Sequence, residues 1–100
     1  MPFVYILRCG DGSLYTGAAK DVARRLLEHQ AGTASKYTRA RLPVMLAWSA
    51  RVRNWPRALQ LEWRIKRLDR TEKLALVSGA RRPPRARRSG PLRAKRGRER

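Results

Sequence analysis

The spacing of apolar and polar positions changes twice in the first third of the chain. Phe3-Val4-Tyr5-Ile6-Leu7 is a dense run of β-branched and aromatic residues, closed by the turn cluster Gly10-Asp11-Gly12-Ser13. Leu14-Tyr15-Thr16-Gly17 follows as a second short run. Two such runs around an Asp-Gly turn predict a β-hairpin. Tyr5 and Tyr15 can then share one face of the ribbon, although the sequence leaves the register open. Beyond Asp21 the period lengthens. Val22, Arg25, Leu26 and His29 recur at i, i+3, i+4 and i+7, which predicts a helix over 22–31 with these four on one stripe. Asp21 is its N-cap and Gly32 its stop. A stripe that mixes core residues with a cation and an imidazole suits a helix bordering a cleft.

The residues from Thr33 to Pro43 are polar and basic and read as a loop or a short helical turn. Val44-Met45-Leu46-Ala47-Trp48 predicts a third strand, apolar enough to be central in a small sheet. Arg51 to Asn54 reads as a loop, and Pro56 suits the first turn of a second helix. The apolar stripe of that helix is Ala58, Leu61, Ile65 and Leu68, with Glu62 beside it. A third helix is predicted over 71–77, stopped by Gly79. No repeats are visible. The order β-β-α-β-α-α implies an α+β fold, a three-stranded antiparallel sheet flanked by helices. Residues 1–80 form one domain in this reading. Residues 81–100, rich in arginine, proline and glycine, cannot bury a core and are expected to be a disordered basic tail.

Charge changes the picture more than composition does. The formal net charge is +18 over 100 residues. Residues 1–80 hold 15 Lys/Arg against 6 Asp/Glu, and residues 81–100 hold 10 against 1, so body and tail share the excess equally. An excess of this size on a folded body points to a polyanion, most often nucleic acid, bound through its phosphates. The plainer reading is a solvated surface. Cys9 is the only cysteine, which excludes an intramolecular disulfide and a cysteine zinc site. Met1–Leu7 lacks the basic start and long apolar run of a signal peptide, and no apolar stretch approaches the ~18 residues of a membrane span. A soluble cytoplasmic protein with no membrane partner is expected, free or nucleoid-associated.

Several side chains can carry chemistry, each with a structural reading beside the functional one. Glu62, at the edge of an apolar face in a chain with only 7 acidic residues, is a candidate ligand for a hard cation such as Mg2+, or else the partner of a nearby arginine. Arg25 has the planar fork that matches phosphate oxygens, or is a surface arginine as Arg24 is. His29 can relay a proton near neutral pH, or serve as a structural hydrogen-bonder. Tyr5 and Tyr15 fit sheet packing with their hydroxyls at the rim. As a base, a phenol with its ordinary pKa of ~10 needs a nearby cation to lower it. Lys36, Tyr37, Thr38 and Arg39 read as contacts to a nucleic-acid backbone, with Tyr37 offering a stacking face; Lys66 is read in the same way. Trp48, Trp55 and Trp63 are expected to be core or partly buried, and Cys9 a small core residue.

Val4-Tyr5-Ile6 and, ten residues on, Tyr15-Thr16-Gly17 resemble the paired motif that names the GIY-YIG endonucleases. Val stands for Gly in the first motif and Thr for Ile in the second, and both defining tyrosines are kept. Arg25 falls where that family has its essential arginine, His29 where many members have a histidine, and Glu62 where the metal-binding glutamate lies. The runs Ser35-Lys36-Tyr37-Thr38-Arg39 and Glu62-Trp63-Arg64-Ile65-Lys66 resemble the small stand-alone bacterial members, and the likeness covers about residues 3–78. Asn54, the only asparagine, precedes Glu62, so the late asparagine of some members has no counterpart. The resemblance implies hydrolysis of a DNA phosphodiester with one divalent metal, Mg2+ or Mn2+, on Glu62. It implies Tyr5 and His29 as the proton-handling pair, Arg25 as charge stabiliser and Tyr15 as a positioning group. Without a targeting domain, structure-selective rather than sequence-selective cleavage is expected, with a role in DNA repair or processing. The alternative is a module that binds DNA or RNA without turnover.

Overall fold

Val4, Tyr5, Ile6 and Leu7 are all buried, so four successive side chains of one strand face apolar surroundings on both sides. That is the environment of a central strand flanked by two helical layers. In the computed structural model, which describes residues 1–80 and 82–83, β1 (Phe3–Arg8) lies between β2 (Leu14–Ala19) and β3 (Met45–Arg51) in the order β2-β1-β3. Both pairings are antiparallel. The third strand, expected at the centre, is therefore an edge. It exposes Met45 and Leu46 at its start and Ser49 and Arg51 near its end, a pattern that one covered face satisfies. It also runs from 45 to 51 rather than over 44–48, with a bulge opposite Ile6 and Leu7.

The remaining elements are α1 (Val22–Gln30), the short α2 (Lys36–Arg39), α3 (Trp55–Lys66) and α4 (Arg70–Ser78). The polar stretch after Thr33 thus contains a four-residue helix. Each helix begins on a side chain that accepts a backbone N–H: Asp21, Ser35, Asn54 and Asp69 in turn. Asp69 and Glu72 form a reciprocal capping box. At the end of α1, Gly32 has φ +80°, and the Gly32 and Thr33 N–H groups reach back to the carbonyls of His29 and Glu28, a Schellman closure.

The sheet separates two apolar clusters. On one face Tyr5, Leu7 and Cys9 pack with Val44, Tyr15, Val22 and Leu26, under α1. On the other, Val4 and Ile6 pack with Ala58, Leu61 and Ile65 of α3 and Leu76 of α4. Trp48 joins this second cluster, whereas Trp55 and Trp63 are exposed and depart from the expectation that all three tryptophans are covered. No helix among the described residues is long and apolar enough to cross a membrane. The tail expected over 81–100 lies outside the described residues, apart from Arg82 and Pro83.

Thr16, opposite Ile6 in the β1–β2 register, is buried, and its hydroxyl has no hydrogen-bond partner among the described residues. An unpaired buried hydroxyl is destabilising, and an apolar side chain of the same shape removes that cost. Thr16→Val is expected to raise unfolding stability by ~1 kcal/mol, read as a higher urea midpoint. A lower midpoint would show that the hydroxyl has a partner, such as a fixed water.

Candidate active site

The β1–β2 register sets Tyr5 against Gly17 and Leu7 against Tyr15, so both tyrosines project from the same face, the one under α1. Tyr5 lies flat across its cross-strand neighbour. A Cβ at Gly17 would stand 2.5 Å from the Tyr5 hydroxyl oxygen and 2.6 Å from Cζ. Any side chain there would drive the phenol out of place. The value of Gly17 is this absence of a side chain inside a strand, and not a bend between strand and helix.

The helical spacing of α1 brings Arg25 and His29 to the same place. His29 is fully buried. Its Nε2 lies 2.9 Å from the Tyr5 hydroxyl, and its Nδ1 lies 2.8 Å from Thr38 Oγ1. Thr38 has a single hydroxyl hydrogen, and the Ser35 carbonyl oxygen stands 3.4 Å away to accept it. With that hydrogen on Ser35, Thr38 Oγ1 accepts from Nδ1–H, and Nε2 is left as the acceptor for Tyr5 O–H. Phenol, imidazole, threonine hydroxyl and the Ser35 backbone carbonyl thus form one buried chain of hydrogen-bonding groups. Thr38 was read as a nucleic-acid contact, but it is completely buried and serves to hold the imidazole.

Burial pushes the His29 imidazole below its ordinary pKa, and the positive charge of Arg25 adds to the effect. It enters the site neutral. Burial likewise raises the Tyr5 phenol, against which a hydrogen bond from Arg25 works. The charges of Arg25 and Glu62 both act on this phenol, although the two residues come from helices on opposite faces of the sheet.

Tyr15 meets His29 edge to face, with ring centroids 5.1 Å apart, and its other neighbour is the ring of Tyr37, stacked at 5.8 Å. Arg41 covers Tyr37 at 3.8 Å and pairs with Asp11 of the hairpin turn at 3.1 Å. Tyr37 is therefore half committed to packing, while Lys36 and Arg39 on either side of it are exposed. Arg25 donates to Glu28 at 2.9 Å, and the same carboxylate receives the exposed Arg24 at 3.5 Å. Glu62, with its side chain 18% exposed, pairs with Lys66 at 2.9 Å. Sequence reasoning did not single out Ser35 or Glu28. The first was visible as a cap four residues before the helix end at Arg39, the second as an acid three and four residues beyond two arginines.

Among the described residues no three of His, Cys, Asp and Glu gather as a metal cage. A lone, largely buried carboxylate is a donor set that suits Mg2+ or Mn2+, which take one or two carboxylates and complete their shell with water and phosphate oxygens. It does not suit zinc, which demands more protein ligands.

Comparison with known proteins places this geometry. The family model described as the GIY-YIG catalytic domain matches residues 1–75. A UPF0213 protein of Streptococcus sanguinis is 49% identical over 75 residues, which cover 75% of this chain and 86% of that one. A UPF0213 protein of Halobacterium salinarum is 46% identical over 76 residues, covering 76% and 99%. The solution NMR structure of the UPF0213 protein from Bacillus halodurans superposes with a TM-score of 0.51 at 43% identity, covering 78% of this chain and 84% of that one.

The buried imidazole has a measurable consequence. An unfolded chain protonates its histidine near the ordinary value of ~6.5, while the folded chain resists until lower pH. Stability is therefore complete above that value and declines as pH falls through the window beneath it. The Asp11 carboxyl, held below its usual range by hydrogen bonds from Ser13, titrates under this window. The urea midpoint of the wild type is expected to fall between about pH 7.5 and 5.5 and to stay level in His29→Gln. Equal slopes in the two proteins would place the effect on another group.

Proposed function

The chain belongs to the GIY-YIG family, and from that premise we propose that it binds nucleic acid by its phosphate backbone, across the face where α1 and α2 meet. The observation that carries this reading is the excess of 15 Lys/Arg over 6 Asp/Glu within residues 1–80, joined to the placement of Arg25 beside Tyr5. Lys36 and Arg39 extend the same cationic face, and DNA is the expected polyanion, with RNA as the competitor to be compared. Phosphate contacts release counterions, so affinity falls steeply with salt. A plot of log affinity against log salt is expected to have a clear negative slope; a flat plot would remove the phosphate reading.

A second and finer reading is favoured by the buried hydrogen-bond chain from Tyr5 through His29 to Thr38. We propose that the bound phosphodiester is hydrolysed there. A water set against the phenol gives its proton to the Tyr5 oxygen as Tyr5 passes its own hydrogen to His29 Nε2, so base strength comes from the imidazole while the phenol makes the contact. Thr38 and Ser35 hold the ring in the tautomer that can receive that proton. Arg25 leaves Glu28 for the phosphate and stabilises the charge that grows on its oxygens. Tyr15, wedged between His29 and Tyr37, orients the phosphate. Glu62, released from Lys66, would hold Mg2+ or Mn2+. The cation would supply Lewis-acid polarisation of the phosphate and stabilise the leaving oxygen.

Purified wild type is expected to nick labelled DNA in Mg2+. Arg25→Ala and Glu62→Ala should each lose ~10²–10³-fold in rate while still shifting the same DNA in a binding assay. Single strands, duplexes, flaps, forks and junctions tested side by side would identify the preferred substrate. Equal nicking by wild type and Glu62→Ala would remove the metal role. No nicking by any protein, with binding intact, would leave a binding module.

A further inference from the structure

The outer surface of α3 carries large apolar side chains that the core does not use. Trp55 is 40% exposed, Leu59 46% and Trp63 58%. They stand at i, i+4 and i+8, so they line one stripe of the helix. Successive residues turn by about 100° around an α-helix, which sets Glu62 along the border of this stripe nearest the sheet and Lys66 within the stripe. Arg67 lies at its far end, with its guanidinium over the Trp63 ring at 4.7 Å from the centroid. A cation thus backs one face of the indole, and most of the residue still meets solvent.

We propose that this face of α3 is a stacking platform for unpaired bases, so that the nucleic acid carries a single-stranded segment beside the phosphodiester held near Tyr5, Arg25 and Glu62. The inference rests on the nucleic-acid reading above and names its substrate class. Three observations support it. The stripe is continuous with Glu62, so a strand leaving that carboxylate runs directly onto Lys66, Leu59 and Trp63. Its surroundings are cationic: residues 51–70 hold 7 Lys/Arg against 2 Asp/Glu, and one of those acids, Glu62, is paired with Lys66. That balance complements a polyanion rather than the apolar face of another protein. Finally, an indole backed by arginine offers a flat, oriented surface, and only a base that has left the duplex can lie on it.

The test uses the full chain in EDTA, so that binding is read without cleavage. Fluorescence anisotropy compares a short oligothymidylate, a blunt duplex, and the same duplex with a single-stranded flap. Trp63→Ala is expected to weaken binding to the single strand and the flap by about tenfold or more while leaving the blunt duplex unchanged. Trp63→Tyr, which keeps an aromatic face, should restore most of the loss. Because the residue is exposed, circular dichroism should show the same fold in all three proteins. An equal loss on every probe, or no loss on any, overturns the platform. So does a wild-type dimer in gel filtration that Trp63→Ala converts to monomer, since the stripe would then be a protein interface. Failure of the wild type to bind any probe would instead overturn the nucleic-acid reading itself.

Discussion

The hydrogen bond between Tyr5 and His29 is the interaction around which one half of the molecule is arranged. It joins the central strand to α1 inside an apolar layer, at 2.9 Å, where an unpaired polar group would be destabilising by ~1–3 kcal/mol. Each group it touches must therefore be satisfied in turn. His29 has a second nitrogen, which calls for Thr38. Thr38 is brought within reach by α2, a helix too short to be stable by itself and started by the Ser35 cap. The phenol needs room, which calls for a strand residue without a side chain at Gly17. Four elements are thus registered against each other by one polar pair, and the geometry that makes the core acceptable also orders the relay.

The charged groups around this pair are held more loosely. Arg25 rests on Glu28 and Glu62 on Lys66, each at 2.9 Å, between side chains that reach solvent. Ion pairs whose cation is solvent-exposed, as Arg25 and Lys66 are, contribute only ~0–1 kcal/mol. A phosphate offers Arg25 a bidentate partner that a shared carboxylate does not. If a phosphodiester binds as proposed, both pairs can be exchanged for it at little cost. In the proposed reaction the rigid part of the site would handle the proton and the exchangeable part the charge.

How much of this was legible in the sequence differed by the kind of signal. The hairpin, α1 with its Asp21 cap and Gly32 stop, and the stripe of α3 follow from local periodicity and capping, and all are present. Tyr5, Tyr15, Arg25, His29 and Glu62 were each recognisable as chemistry-bearing residue types at particular positions, and the fold brings the first four together and lets Glu62 act on Tyr5. What local pattern could not supply is non-local. Val44 to Trp48 looked central because it is apolar, but centrality depends on which strand is covered on both faces, and β1 wins with four buried residues in succession. Thr38 looked like a surface threonine in a basic loop because its partner lies nine positions away in another element. The role of Gly17 is hidden because a sequence shows a glycine's freedom and not the ring lying across it.

The narrowness of the sheet explains why charges from opposite layers can act on one phenol. α1 covers one face and α3 the other, and in a broad sheet their side chains would be separated by the strands between them. Here only β2 lies between β1 and the open edge, and β2 is thin at the decisive place, since Gly17 presents backbone alone opposite Tyr5. Arg25 can then approach the phenol from one side while the charge of Glu62 is felt from the other. The same arrangement accounts for the position of Tyr15 on β2, two pairs along the register from Gly17 and on the same face. A bulky residue at 17 would both displace the Tyr5 ring and thicken the edge across which the two helices act. The glycine of the second motif is thus required by the site as a whole, through its effect on strand thickness, and not by the backbone conformation of its own residue.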